Sequence, residues 1–114
     1  RVEYKSHDGR LVPLTITRHK KTKIDGTANI LLYGYGSYGN SMSPGFSSTR
    51  LSLINRDIIW VTAHIRGGME KGMKWWKGKR RQSMMRWTFP CFRRLYQCLM
   101  SSLESKSLIA IMSN

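Results

Sequence analysis

Acidic residues are scarce in this 114-residue chain, where six Asp and Glu stand against twenty Lys and Arg to leave a net charge of +14. No acid lies between Glu70 and Glu104, while Lys71, Lys74, Lys77, Lys79, Arg80, Arg81, Arg86, Arg93 and Arg94 fall in that interval. Such a balance raises a nucleic-acid or anionic-membrane surface as one function class, with a plain solvated face as the bland alternative. Cysteine is almost absent as well. Cys91 and Cys98 are seven apart on a predicted helix, so their Cα atoms would lie about 10 Å apart along its axis, beyond the roughly 7 Å that a disulfide spans. Reduced thiols are expected. No run of about 18 apolar residues exists, and the start lacks the apolar core of a signal peptide, which argues against a membrane span and makes the cytoplasm the expected compartment. The chain begins with Arg1 and its last apolar run stops two residues before the end. Both ends are therefore expected to be cut from something longer. The 40% of hydrophobic residues still suffices for a packed core.

The apolar residues are arranged as strands and helices in alternation. Val2 and Tyr4 alternate with polar neighbours, Asp8-Gly9 marks a turn, and Leu11 to Ile16 resumes extended structure, which predicts an antiparallel hairpin. Pro13 has no amide hydrogen to give to a ladder, so an edge position or a bulge is expected there. Lys20 to Gly26 reads as a charged loop. Ala28 to Tyr33 is a continuous apolar run of the kind expected for a strand covered on both faces. Ser47 and Ser48 can cap a short helix over Phe46 to Asn55, with Leu51 and Ile54 at helical spacing. Ile58 to Ile65 is a second buried strand ending at Gly67-Gly68. Phe89, Phe92, Leu95, Tyr96, Leu99, Met100 and Leu103 form one helical stripe, with Arg93, Arg94 and Gln97 opposite. Leu108 to Met112 is a third buried strand. The order predicts an α/β fold: an N-terminal antiparallel hairpin followed by parallel strands with crossover helices, all in one domain over 1–114.

The residues from Asn29 to Gly39 carry the chemistry, because an apolar strand there runs into a loop of alternating glycine and tyrosine. Glycine tolerates positive φ and close backbone approach, so such a loop can turn tightly beside a site while keeping rings and hydroxyls at hand. Gly34-Tyr35-Gly36-Ser37-Tyr38-Gly39 satisfies G-x-G-x-x-G, which raises a dinucleotide-binding domain as an alternative. That fingerprint needs a helix to begin among the glycines, yet Asn40 to Gly45 reads as loop, and the next strand ends on His64 and Arg66 rather than an acid. Ser37 fails as the nucleophile of a G-x-S-x-G elbow, since Tyr35 stands where glycine is required. His64 reads as a buried, hydrogen-bonded histidine. No residue pattern calls for a cofactor or a metal.

Asp8-Gly9, Val12-Pro13, Tyr33 to Gly39, Ser52-Leu53, His64-Ile65-Arg66-Gly67-Gly68 and Trp76 stand in an order and spacing that closely resembles the start of the catalytic domain of the prolyl oligopeptidase family of serine peptidases. Ser37-Tyr38-Gly39 is most similar to its oligopeptidase B branch, also called protease II. The resemblance runs from Arg1 to about Lys77 and weakens beyond. It implies a partial α/β-hydrolase fold, truncated before the nucleophile elbow and without the family's β-propeller, and peptide hydrolysis by a Ser, Asp, His triad. It implies that Tyr35 is a catalytic residue whose hydroxyl donates to the oxyanion, the alternative being a loop aromatic packed on the sheet. It places Tyr38 in the substrate pocket as an aromatic wall, with a core-packing ring as the alternative. Arg66-Gly67-Gly68 reads as architectural. Cleavage after basic residues is implied by the branch alone.

The chain also departs from the family. Trp87 and Cys91 stand where the family has asparagine and aspartate, and Gly78 to Arg86 is unusually basic and rich in Met, as an altered reading frame or relaxed selection would leave it. After Leu108 to Met112 come only Ser113 and Asn114, where the family places Gly-Gly-Ser-x-Gly-Gly. No nucleophile, acid or base can be assigned, so the expectation for these residues alone is no peptidase activity, with peptide as the partner of the longer family member.

Overall fold

The computed structural model describes residues 1–6, 8–25, 27–43, 45–77, 93, 94, 97, 101 and 108–113. Strands β1 (Val2–Lys5) and β2 (Leu11–Thr17) form the expected hairpin, pairing Val2 with Leu14 and Lys5 with Leu11. Ser6 closes it by donating to the Arg10 carbonyl at 2.8 Å, and Gly9 takes a φ of 81° that a side chain would resist. Strand β3 (Ile30–Tyr35) begins and ends two residues later than the apolar run alone suggests. Helix α1 (Ser48–Ile54) is capped by Ser47, whose side chain accepts from the Arg50 amide. Strand β4 (Ile59–Ala63), helix α2 (Met73–Lys77) and strand β5 (Leu108–Ser113) complete the described elements.

The sheet order is β1-β2-β4-β3-β5. Strand β3 lies parallel to β4 on one side and to β5 on the other, whereas β2 runs antiparallel to β4. This is the expected α/β arrangement of a leading hairpin and parallel strands. One expectation needs correction. Pro13 is in an interior strand, neither at an edge nor in a bulge, because β2 is paired on both sides. Its carbonyl accepts from His64 at 3.0 Å, one position beyond the last β2–β4 pair, Leu14 with Ala63, so its nitrogen faces the place where that ladder stops.

Alternation places Val12 and Leu14, Ile30 and Leu32, and Ile59, Val61 and Ala63 on one face, where Ile65 and Trp75 join them in a single core. The other face carries Trp60 under α1: the Arg50 guanidinium lies 5.3 Å from the Trp60 ring, and Tyr33 packs on Trp60 with centroids 5.7 Å apart. Of the two apolar positions expected to bury α1, Ile54 does so and Leu51 is exposed. A helix of two turns on a flat sheet brings only a narrow stripe into contact. The apolar stripe from Phe89 to Leu103, Cys91 and Cys98 lie outside the described residues; Arg93, Arg94 and Gln97, expected on the polar side, are helical and exposed.

Candidate active site

Tyr35 is the last residue of β3, so it stands at the carboxyl edge of a strand flanked on both sides, in register with Ser113 of β5. It is half-buried, and among the described residues none hydrogen-bonds its hydroxyl. The connection leaving β3 leads to α1 on one face, while the one leaving β4 leads to Trp75 on the other. In open α/β sheets that divergence opens a crevice beyond the strand ends. Here backbone fills it. A Cβ on Gly36 would overlap the Arg66 carbonyl oxygen and press on the Ile65 side chain, and one on Gly67 would overlap the Gly36 carbonyl. Gly67 also holds a φ of 105°, and the Gly39 amide donates to its carbonyl at 2.9 Å. The Arg66-Gly67-Gly68 segment is therefore architectural, as its sequence suggests: two glycine loops lock backbone to backbone.

Past Gly36 the chain turns at Ser37, which is buried and whose carbonyl accepts from Asn40 at 3.1 Å. Tyr38 holds a φ of 55° and is 81% exposed. Within this chain, then, the Tyr38 ring lies outside the core. Met69 and Trp76 lie on the flank of the same turn, where a Cβ at Gly39 would meet both side chains at 3.3 and 3.5 Å. No helix begins among these glycines, since α1 starts at Ser48 and the described residues from Asn40 to Ser47 are irregular. The amide dipole that a pyrophosphate requires is thus not aimed at the loop.

His64 sits just past β4, fully buried, with Nε2 2.8 Å from Thr15 Oγ1, so it is the hydrogen-bonded core histidine that its surroundings suggest. Its Nδ1 lies 3.7 Å from Glu70 Oε1. Burial alone would push the Glu70 carboxyl up, but the His64 side chain and the Met42 amide, which donates to Oε1 at 2.8 Å, hold it below the usual carboxylate value. Thr15 does not stand out in the sequence, and Glu70 does so as the acid that follows Gly67-Gly68 and as the last acid before the long basic interval.

Two ion pairs tie the hairpin to this loop. Arg66 Nη1 reaches Asp8 Oδ2 at 2.5 Å, and Lys71 Nζ reaches Glu3 Oε1 and the Leu11 carbonyl, each at 2.9 Å, while lying 5.4 Å from the Trp75 ring. Burial raises the Asp8 carboxyl and the Arg66 and Arg10 contacts outweigh it, leaving its pKa lowered. Lys71, the first cation of the basic interval, is therefore engaged within the fold; Lys74, Arg93 and Arg94 are exposed, and most of the others lie outside the described residues. Among the described residues no three His, Cys, Asp or Glu side chains converge as a metal would need, and no helix is long and apolar enough to cross a membrane.

No family model matches the chain. Individual proteins do. It is 46% identical over 77 residues to a dipeptidyl aminopeptidase BI of Pseudoxanthomonas mexicana, covering 67% of this chain and 11% of that protein. It is 40% identical over 75 residues to protease 2 of Moraxella lacunata, covering 66% of this chain and 11% of that protein. Its fold superposes on oligopeptidase B from Leishmania major with a TM-score of 0.89 and 33% identity, over 98% of this chain and 16% of that one. The chain spans about a tenth of the length of these curated relatives. Sheet and loop define the class first: a mixed α/β sheet shared with peptidases. Within that class the chain belongs to the prolyl oligopeptidase family, with oligopeptidase B and protease 2 among the members it matches.

Proposed function

We propose that this chain is the N-terminal part of an α/β-hydrolase catalytic domain of a serine-type oligopeptidase that hydrolyses short peptides, in which Tyr35 supplies a hydrogen bond to the oxyanion. The observation that carries this reading is the position of Tyr35 at the carboxyl end of β3, directly before Gly36, whose backbone packs against that of Arg66 and Gly67. A phenol held there needs little rearrangement to meet a negative oxygen, and that is how a fixed donor lowers a barrier. Tyr38, exposed beside it with Met69 and Trp76, serves as an aromatic wall for a substrate side chain. Cleavage after basic residues follows the likeness to oligopeptidase B and protease 2. On this reading none of these residues is the nucleophile, acid or base, and the expectation for the chain alone is no hydrolysis.

The test is a chimera in which residues 1–77 replace the matching segment of the Leishmania major oligopeptidase B. Tyr35→Phe in that chimera should lower kcat about 100-fold or more with little change in KM, corresponding to about 3 kcal/mol of transition-state stabilisation. Equal kcat values for the chimera and its Tyr35→Phe form would remove Tyr35 from the chemistry. The isolated chain should leave fluorogenic peptides with Lys or Arg before the scissile bond uncleaved.

A further inference from the structure

Glu70 is the acid beside the tyrosine loop that the peptidase reading leaves without a task. Its side chain is only 5% exposed, a placement that carboxylates avoid unless paired. Oε1 accepts from the Met42 amide at 2.8 Å, across 28 positions of sequence, and faces Nδ1 of His64 at 3.7 Å. Among the described residues, Oε2 and His64 Nδ1 have no hydrogen-bond partner. A carboxylate only accepts, so the favourable tautomer of His64 carries its proton on Nδ1 toward Glu70 while Thr15 donates to Nε2 at 2.8 Å. Gly68 makes the approach feasible: a Cβ there would overlap Glu70 Oε2 and crowd the Asn40 carbonyl at 2.8 Å. The neighbouring cations are engaged elsewhere, Arg66 with Asp8 and Lys71 with Glu3, which leaves His64 as the titratable group facing the carboxylate.

These contacts close a loop at both ends. β3 anchors it at Tyr35, Gly67 holds it at the Gly39 amide, and Glu70 holds it at Met42. We infer that Glu70 is a positioning residue, a buried carboxylate latch, oriented by His64 and Thr15, that fixes the segment Gly39–Met42 and so sets where the loop's tyrosines stand. That the placement serves an oxyanion rests on the peptidase reading above. The latch itself is read on the loop, so a chimera indifferent to Tyr35 would end that reading and leave this one intact.

Amide-resolved NMR on the 114-residue chain tests it. The Met42 amide proton should shift as pH falls through the region below 4.5, the ordinary glutamate value, because its acceptor loses charge there. Glu70→Gln keeps the shape and an acceptor, so the chain should stay folded while that titration disappears. Glu70→Ala should speed hydrogen exchange at Met42 roughly ten- to hundredfold, with the β3 and β4 amides as protected as before. A Met42 titration unchanged in Glu70→Gln would overturn the inference. So would a folded Glu70→Ala chain whose Met42 exchanges as slowly as the parent, or one whose loop and strands lose protection alike. Should Glu70→Ala fail to fold, the Glu70→Gln titration decides alone.

Discussion

Gly36 shows how one missing methyl group holds the site together. Any side chain there meets the Arg66 carbonyl and Ile65, and backbone moves less readily than a flexible side chain. Gly36→Ala should therefore cost about 2 kcal/mol or more, read as a lower urea midpoint with an unchanged slope. Gly72, which has a positive φ of 81° that Gly36 lacks but open space around it, should lose less on the same change, since only backbone strain is added. The two carboxylates of this region set the acid limit. Glu70 and Asp8 both have lowered values, so the stability they contribute is complete above their ordinary 4.5 and 3.8 and is lost as pH falls through the lower folded-state values. Urea midpoints measured from neutral pH downward should fall below about pH 4.5 in the parent chain and fall less in an Asp8→Asn, Glu70→Gln double variant.

At the level of elements, α1 is held by few contacts and should respond to its cap. Ser47 Oγ accepts from the Arg50 amide at 3.4 Å, a long bond, so Ser47→Ala should destabilise by about 0.5 to 1 kcal/mol, measured by thermal unfolding. The sheet core is less forgiving. Leu32 is fully buried in β3 between two paired strands, and Leu32→Ala should cost about 3 kcal/mol, a large share of a small domain's stability. The hairpin, the parallel strands and the Ser47 cap were all legible in residue spacing, because alternation and capping are local. The interior position of Pro13 was not. Whether a strand is paired on its second side depends on β4, some fifty residues on, and nothing near Pro13 encodes that partner.

For the molecule as a whole, charge and sheet edge oppose each other. The β1 edge is short and carries Glu3 and Lys5, whereas β5, at the other end of the sheet, has no charged residue and leaves Ile111 45% exposed. Flat apolar edges recruit further strands, but a net charge of +14 keeps copies apart at low ionic strength. Raising salt should therefore drive association of the isolated chain, seen as growing sedimentation coefficients, and Ile111→Lys should suppress it.

The α/β class, the tyrosine loop and the family likeness were readable in the chain itself, since periodicity and motif order survive without coordinates. Folding alone decided that Gly36 and Gly67 would interlock, that Tyr38 would face solvent, and that Glu70 would reach the Met42 amide past a buried histidine. Those outcomes depend on which strand ends come to lie side by side. Contacts between residues tens of positions apart leave no mark on the local pattern of either partner.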